Sequence, residues 1–315
     1  RDTINSEVGV LAGLITVLCG PLIFFDGELL ATSWACFWAM LLLQQLCRTP
    51  SLWTPAGFFT LGIVGALSVL TRPTFLPFLL AACVWLLHTQ RKALSTHATP
   101  LIAAILIGGF SSVALPIAGL NHSVTGDFSI LPSSGALNFY LGNNPNHKQT
   151  VAIRPGWAWD ELTRSPGYEG VTSHAQTQFY WQDKAAVYIQ NEPFAFFQGL
   201  VEKLGQFVSS RELPRNVDIY TYRAWSWVLS QTVWKLGPVG FPFGILLPLA
   251  LLGLVCGWRR VAMPIKLFIV LYPLAVVMVF VTARYRVPTM PVWCLLAALG
   301  LGQLKAWFQR RHFSA

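Results

Sequence analysis

Eight long apolar runs constrain this chain more than any other feature of its sequence. They cover approximately residues 7–25, 29–46, 55–71, 74–90, 99–119, 237–257, 263–283 and 287–304. An α-helix needs about 20 mostly apolar residues to cross the roughly 30 Å hydrocarbon core of a bilayer. The sequence therefore predicts an all-α polytopic membrane protein of about eight transmembrane helices.

The placement of charge agrees with this interpretation. Only 11% of the residues are charged, well below the roughly 25% of soluble domains. Threading the runs alternately, with Arg1 inside, places the basic residues of the short inner connections and the tail on one side, as the positive-inside rule requires; these are Arg48, Arg91, Lys92, Arg259, Arg260, Lys305, Arg310 and Arg311. Arg72, Arg284 and Arg286 on the outer side depart from this bias. Both termini are then predicted to be cytoplasmic. The net charge of +9 follows from topology, and nucleic acid is not predicted as a partner because there is no Lys/Arg-rich run with interleaved aromatic residues and the basic residues lie at the ends of apolar runs.

The same threading predicts three regions. Residues 1–119 form a five-helix transmembrane region, 120–236 an outer, periplasmic loop domain, and 237–315 a three-helix transmembrane region with a basic cytoplasmic tail. Within the outer domain, the stretch 121–159 is rich in Gly, Asn, Pro and Ser and predicts a loop with one or two strands. Helical periodicity from about residue 175, and again from Pro193, predicts two amphipathic helices along the membrane surface.

Asp26 and Glu28 form a candidate acidic site. They lie in the turn between the first two apolar runs, at the predicted outer face, where ionisable groups are costly unless hydrated or paired. An equally open alternative is that Asp26 caps a helix starting near Leu29 and that Glu28 stabilises its first turn through the helix dipole.

Three arginines are candidate phosphate ligands. Arg72 lies at the tip of a tight hairpin before Pro73, and Arg284 and Arg286 flank Tyr285 at the same predicted membrane depth. The planar guanidinium binds phosphate with two hydrogen bonds, and its stem tolerates apolar surroundings. A lipid phosphate is the predicted partner. The alternative is that each arginine extends to the interface or pairs with an acidic residue.

Tyr140, Asn143 and Asn144 are candidate sugar or acceptor contacts. Aromatic faces combined with amides are typical of sugar-binding clefts, although interfacial aromatic belts and Asn-Asn-Pro turns are common alternatives. The six histidines show no metal-ligand spacing, so no metal site is predicted. The six cysteines lie in or beside apolar runs, which argues against a disulfide framework.

Four motifs together resemble one known family. They are Gly20-Pro21-Leu-Ile-Phe-Phe-Asp26-Gly-Glu28, the segment from Gly62 to Arg72-Pro73, Asn138-Phe-Tyr140-Leu-Gly-Asn143-Asn144-Pro145, and Ala283-Arg284-Tyr285-Arg286-Val-Pro288. In this order and spacing the chain resembles the GT-C superfamily of bacterial polyprenyl-phosphate-sugar glycosyltransferases, which includes protein O-mannosyltransferases and aminoarabinose transferases.

The resemblance implies an enzyme of the bacterial inner membrane. Such an enzyme moves a sugar from a polyprenyl-phosphate carrier to a glycan, lipid or protein acceptor on the outer face. Asp26 and Glu28 would then be catalytic, Arg72, Arg284 and Arg286 would hold the carrier phosphate, and Tyr140, Asn143 and Asn144 would contact the acceptor. The lipid-linked sugar is the donor substrate, no separate cofactor is implied, and a need for a divalent metal is left open.

One departure from the family pattern matters. The family's principal catalytic aspartate lies in the first outer loop, and no residue of this sequence corresponds to it. Since the chain also opens on Arg1, we expect it to lack the amino-terminal part of the family pattern. Two other classes therefore stay open: a non-catalytic membrane binding or assembly protein, and a transporter of lipid-linked sugars.

Overall fold

The protein is described here by a computed structural model covering residues 6–48, 53–93, 98–131, 134–237 and 239–312. Its main helices are α1 (Ser6–Val17), α2 (Gly20–Asp26), α3 (Thr32–Leu46), α4 (Pro55–Thr71), α5 (Leu76–Ala93), α6 (Ala98–Thr125), α7 (Gly135–Gly142), α8 (His147–Ala152), α9 (Trp157–Tyr168), α10 (His174–Asn191), α11 (Pro193–Val208), α12 (Ile219–Tyr222), α13 (Trp227–Thr232), α14 (Phe243–Cys256), α15 (Met263–Val279), α16 (Ala283–Arg286) and α17 (Met290–His312). The described part of the chain is thus almost entirely helical.

Within the described residues, three helical stretches are long and apolar enough to cross a membrane: Pro73–Lys92, Ala98–Thr125 and Ala283–Gln309. A fourth crossing is present if α1 and α2, which are bent by 57° relative to each other, count as one span. Helices α4, α14 and α15 are apolar but shorter. The chain is therefore a helical membrane protein. Each of the eight apolar runs contains a helix, and their number as crossings stays a prediction.

The chain divides into two compact units. The first comprises residues 1–49, 208–270 and 282–315, and the second comprises residues 50–207 and 271–281. In the first unit α14 and α17 pack along each other. A Cβ added to Gly253 would lie 2.0 Å from the carbonyl oxygen of Leu296, and one added to Gly300 would lie 2.1 Å from that of Leu249. Only glycine permits this approach, which is typical of helix packing in membranes.

The second unit contains an equivalent pair, α4 and α6. A Cβ on Gly62 would lie 2.2 Å from the carbonyl oxygen of Leu106, and one on Gly109 would lie 2.1 Å from that of Phe59. Backbones in contact gain dispersion energy where lipid supplies no hydrophobic driving force. Each unit is therefore built around one pair of helices joined through glycine.

The prediction of a loop with one or two strands over 121–159 is wrong. Among the described residues of this stretch there are helices α7 and α8, the end of α6 and the start of α9, and no strand. The physical reason is that the amides of Asn143 and Asn144 donate to the carbonyl oxygens of Phe139 and Tyr140, each at 2.8 Å. The Asn-Asn-Pro sequence therefore closes helix α7.

Helices are present at both positions predicted after this stretch, as α10 and α11; the amphipathic character is clear in α11 and weak in α10. A capping box starts α10, in which Ser173 accepts from the Gln176 backbone and the Gln176 side chain accepts in return. Pro193 opens α11, where its missing N–H is harmless. Their predicted position along a membrane surface stays a prediction.

A small antiparallel hairpin replaces the start of the sixth apolar run. Strands β1 (Trp234–Leu236) and β2 (Val239–Phe241) pair before α14 begins. Gly237 takes a left-handed conformation with φ of 58°, which a turn of this kind requires, and the rings of Trp234 and Phe241 stack 4.9 Å apart. The apolar helix consequently begins six residues later than predicted, at Phe243 rather than 237.

Candidate functional site

The acidic turn belongs to the first compact unit. Asp26 is the last residue of α2, and α3 begins only at Thr32 with Ala31 at its N-cap and no side-chain cap. The alternative that Asp26 caps this helix is therefore wrong. Asp26 is exposed and Glu28 half-buried, and neither carboxylate forms a hydrogen bond or ion pair with another described residue. Since a carboxylate at the C-terminal end of a helix is disfavoured by the dipole, helix stability does not explain Asp26.

Arg286 is held inside the first unit. Its side chain is 2% exposed, and its Nη2 lies 2.7 Å from the Oε1 of Glu212, which is equally buried. The guanidinium also donates to the backbone oxygens of Ser209 and Arg211 and lies 4.1 Å over the ring of Phe243. This arrangement favours a structural role, in which Arg286 fixes the segment 209–212 against α16. Its predicted contact with lipid phosphate stays a prediction.

Arg284 lies beside a second arginine that the sequence analysis did not select. Arg284 is half-buried, its Nε has no hydrogen-bond partner among the described residues, and its guanidinium is 5.1 Å from the ring of Tyr285. Arg215 is 8% exposed. Burial, followed by repulsion from Arg284, lowers the pKa of Arg215. The backbone N–H of Ala283 donates to the carbonyl oxygen of Leu213 at 2.9 Å, so the segment that carries Arg215 lies against the turn that carries Arg284, and the two positive charges are near enough to repel each other.

The acidic turn and the arginine turn lie in one region of the first unit. Helices α2 and α3, which flank the acidic turn, both pack against the 3-10 turn Val287–Thr289 that directly follows Arg286. This contact is formed by residues more than 240 positions apart in sequence. The structure therefore brings the elements that carry Asp26 and Glu28 to the elements that carry Arg284 and Arg286.

Arg72 belongs to the second compact unit. Helix α4 ends at Thr71, Arg72 takes an extended conformation, and Pro73 starts a 3-10 turn. The Arg72 side chain is 7% exposed. Its predicted role in binding lipid phosphate stays a prediction.

Asn143 and Asn144, also in the second unit, are engaged as scaffold groups. Each is 2% exposed. The amide of Asn143 donates to the carbonyl oxygen of Met278 at 2.9 Å as well as to that of Phe139, and the amide of Asn144 donates to Thr150 Oγ1 at 2.9 Å. Both amides would lose these bonds on binding an acceptor, so the geometry favours a structural role and acceptor binding stays a prediction. Tyr140 is half-buried against Trp181, 4.9 Å between ring centroids.

Lys203 on α11 is a buried cation of the second unit. It is 4% exposed, and its Nζ donates to the carbonyl oxygens of Gly142 at 3.1 Å and Val279 at 3.3 Å and to the Asn143 Oδ1 at 2.8 Å. Burial lowers the pKa of Lys203 to about 8. A positive charge at the C-terminal end of α7 is favoured by the dipole, so Lys203 ties α11 to the end of α7.

We expect Lys203 to make stability depend on pH between about 8 and 10.5. Its pKa is lower in the folded protein than in the unfolded chain, so over this interval the unfolded chain binds more protons and stability rises with pH. The free energy of unfolding should rise by at most about 3 kcal/mol over this interval, and Lys203→Met should not show this rise. The measurement is the difference in melting temperature between wild type and Lys203→Met from pH 7 to 10.5 in detergent.

The matched control is Lys148→Met. Lys148 has 69% of its side chain exposed and pairs with Glu202 at 3.0 Å on the surface, so its removal should produce a difference that does not change over the same pH range. If the difference in melting temperature between wild type and Lys203→Met is also constant over this pH range, the lowered pKa of a buried Lys203 is contradicted.

The sequence did not point to three residues that the structure places in these networks: Glu212, Arg215 and Lys203. Glu212 and Arg215 lie in a short irregular segment, and the hydrogen bond between Arg286 and the Arg211 backbone joins residues 75 positions apart. No local pattern encodes such a contact. Lys203 could have been found from sequence. It is seven residues from Phe196 and four from Phe207, so helical spacing places it on the same face of α11 as these two residues.

Comparison with known proteins returned no match: no family model, no curated protein and no solved structure matches this chain. Among the described residues, no group of three or more His, Cys, Asp or Glu side chains is arranged to hold a metal ion. The function must accordingly be argued from the residues and their geometry.

Proposed function

We propose that this chain is a membrane glycosyltransferase of the GT-C type, which moves a sugar from a polyprenyl-phosphate carrier to an acceptor at the outer face of a bacterial inner membrane. The proposal includes eight membrane crossings, one for each apolar run, with both termini in the cytoplasm. The observation that carries it is the hydrogen bond of 2.9 Å from the Ala283 N–H to the Leu213 carbonyl oxygen, which brings the segment of Arg215 to the turn of Arg284, in the region where the acidic turn also lies.

The arginine pair suits a phosphate ligand. Two guanidinium groups that repel each other are stabilised when an anion binds to both, and phosphate accepts hydrogen bonds from two arginines at once. Arg284 opens the apolar stretch Ala283–Gln309, which is long enough to cross a membrane. A phosphate bound here would therefore lie at the end of a membrane span, where the headgroup of a lipid carrier lies and its tail can stay in hydrocarbon.

Asp26 supplies the second requirement of the reaction, a proton acceptor. In the proposed step the acceptor hydroxyl gives its proton to the Asp26 carboxylate while its oxygen bonds to the sugar carbon. The bond from that carbon to the phosphate oxygen breaks, its electrons stay on the phosphate, and the sugar carbon is inverted. Arg284 and Arg215 stabilise the charge that develops on the phosphate. Glu28 is the second candidate base, and Arg286 positions the turn.

We expect Arg284→Ala and Arg215→Ala each to weaken binding of polyprenyl phosphate by about 10- to 100-fold, because a hydrogen bond to a charged group contributes about 1.5–3 kcal/mol. Binding is measured with the full chain in nanodiscs, using polyprenyl phosphate as titrant. The matched control is Arg211→Ala, since Arg211 is exposed in the same segment and contributes only its backbone to the network. Equal affinity of all three variants and wild type would overturn the phosphate site.

A further inference from the structure

We propose that α4, α5 and α6 form a binding site for one acyl chain of an anionic bilayer phospholipid. Between these helices lies an open groove of about 410 Å³ in the second compact unit. Its walls are apolar, and residues that line it include Gly65, Leu76, Cys83, Leu87, Ala103 and Ile107. This site is separate from the residues assigned to sugar transfer and does not depend on that assignment.

The groove is open because two of the residues that line it are small. Ala103 of α6 presents only a methyl group, and Gly65 of α4 leaves room for Leu79 of α5, whose Cδ1 would lie 3.0 Å from an added Cβ; α4 and α6 touch each other through Gly62 and Gly109. The rim is formed by large residues that point outward, since Leu80 is 59% exposed and Ile107 is 64% exposed. The groove therefore opens on the side where helices α5 and α6 face the surroundings of the unit.

The dimensions of the groove match a single lipid chain. Helix α5 lines it from Leu76 to Leu87, a rise of about 16 Å at 1.5 Å per residue. One leaflet of the hydrocarbon core is about 15 Å thick, half of the full core. Both α5 and α6 belong to stretches long enough to span a membrane. An apolar groove at this position and of this length fits an acyl chain that enters from one leaflet.

The charge at one end of the groove selects the headgroup. Leu76, Leu80, Cys83 and Leu87 follow each other at helical spacing, and beyond Leu87 this stripe ends between Gln90, which is buried, and Arg91, which lies one turn from Leu87. Arg91 is exposed in the last turn of α5. A lipid whose chain lies along the stripe would place its phosphate near Arg91, and a basic residue at the membrane surface attracts anionic lipid by about 1 kcal/mol.

The test uses phosphatidylglycerol that carries a photoactivatable diazirine in one acyl chain, with the full chain reconstituted in vesicles. We expect cross-links on the groove-facing residues of α5 and α6, located by mass spectrometry. Ala103→Phe should fill the groove and abolish them. Leu101→Phe, on the exposed face of the same helix with Leu101 63% exposed, should leave them unchanged. Equal labelling of both variants would overturn the site.

Two further arms identify the ligand. Arg91→Gln should lower labelling by phosphatidylglycerol about fivefold and leave labelling by phosphatidylcholine unchanged, whereas Lys92→Gln, on another face of α5, should change neither. Equal labelling of wild type by both lipids would overturn the preference for anionic lipid. Displacement of bound phosphatidylglycerol by an equimolar amount of polyprenyl phosphate would show instead that the groove holds the tail of a lipid carrier.

Discussion

Glu212→Ala is expected to lower the free energy of unfolding by about 3–5 kcal/mol, because it leaves the charge of Arg286 buried without its partner. Both side chains are 2% exposed, and their closest atoms are 2.7 Å apart. Equilibrium unfolding of the full chain in mixed micelles with increasing denaturing detergent measures the effect.

Glu202→Ala is the matched control for this loss. Glu202 forms a 3.0 Å ion pair with Lys148, but 40% and 69% of the two side chains are exposed, and such surface pairs contribute about 1 kcal/mol or less. Replacing both buried partners, as in Glu212→Leu with Arg286→Met, should recover most of the stability, since apolar residues of similar size do not need pairing. Equal losses in Glu212→Ala and Glu202→Ala would contradict a buried ion pair.

Asp26→Asn is expected to slow sugar transfer by about 10²- to 10⁴-fold, the usual contribution of a general base. The amide keeps the size of the carboxylate but cannot accept the acceptor's proton. Affinity for polyprenyl phosphate should change little, because Arg284 and Arg215 remain. Release of lipid phosphate from a radiolabelled polyprenyl-phosphate sugar, measured in proteoliposomes with the full chain, reports the rate.

Asp160→Asn controls for a general loss of negative charge, since Asp160 lies exposed in the first turn of α9 and should transfer at the wild-type rate. If Asp26→Asn also retains that rate, another residue is the base, and Glu28→Gln is the next variant to measure. A wild-type chain that binds polyprenyl phosphate through the two arginines but transfers no sugar would identify a non-catalytic binding protein.

The helices could be predicted from sequence where apolar residues form long runs. Each of the eight runs contains a helix because backbone groups in hydrocarbon must be bonded within the segment. The prediction failed at α7 and α8, since these helices of eight and six residues are too short to show a period. There the amides of Asn143 and Asn144 determine where the chain turns.

The candidate site could likewise be predicted only in part. Asp26 and Arg284 could be selected from sequence because charges next to apolar runs are conspicuous. The difference between Arg284, whose Nε has no partner among the described residues, and Arg286, which is paired with Glu212, could not be predicted. It depends on the segment 209–215, which reaches α16 only in the folded chain.

The short length of α14 has a consequence for the bilayer around the arginine turn. Its 14 residues rise about 21 Å, and Phe243 at its start lies against Arg286. In the proposed arrangement of eight crossings, α14 crosses the membrane although it is about 9 Å shorter than the hydrocarbon core, and thinning of the membrane beside the helix relieves such a mismatch. Polar headgroups are then drawn toward the midplane next to Arg284. A lipid phosphate could meet the arginine pair there without its tail leaving the bilayer, so local membrane thickness becomes part of how this site is reached.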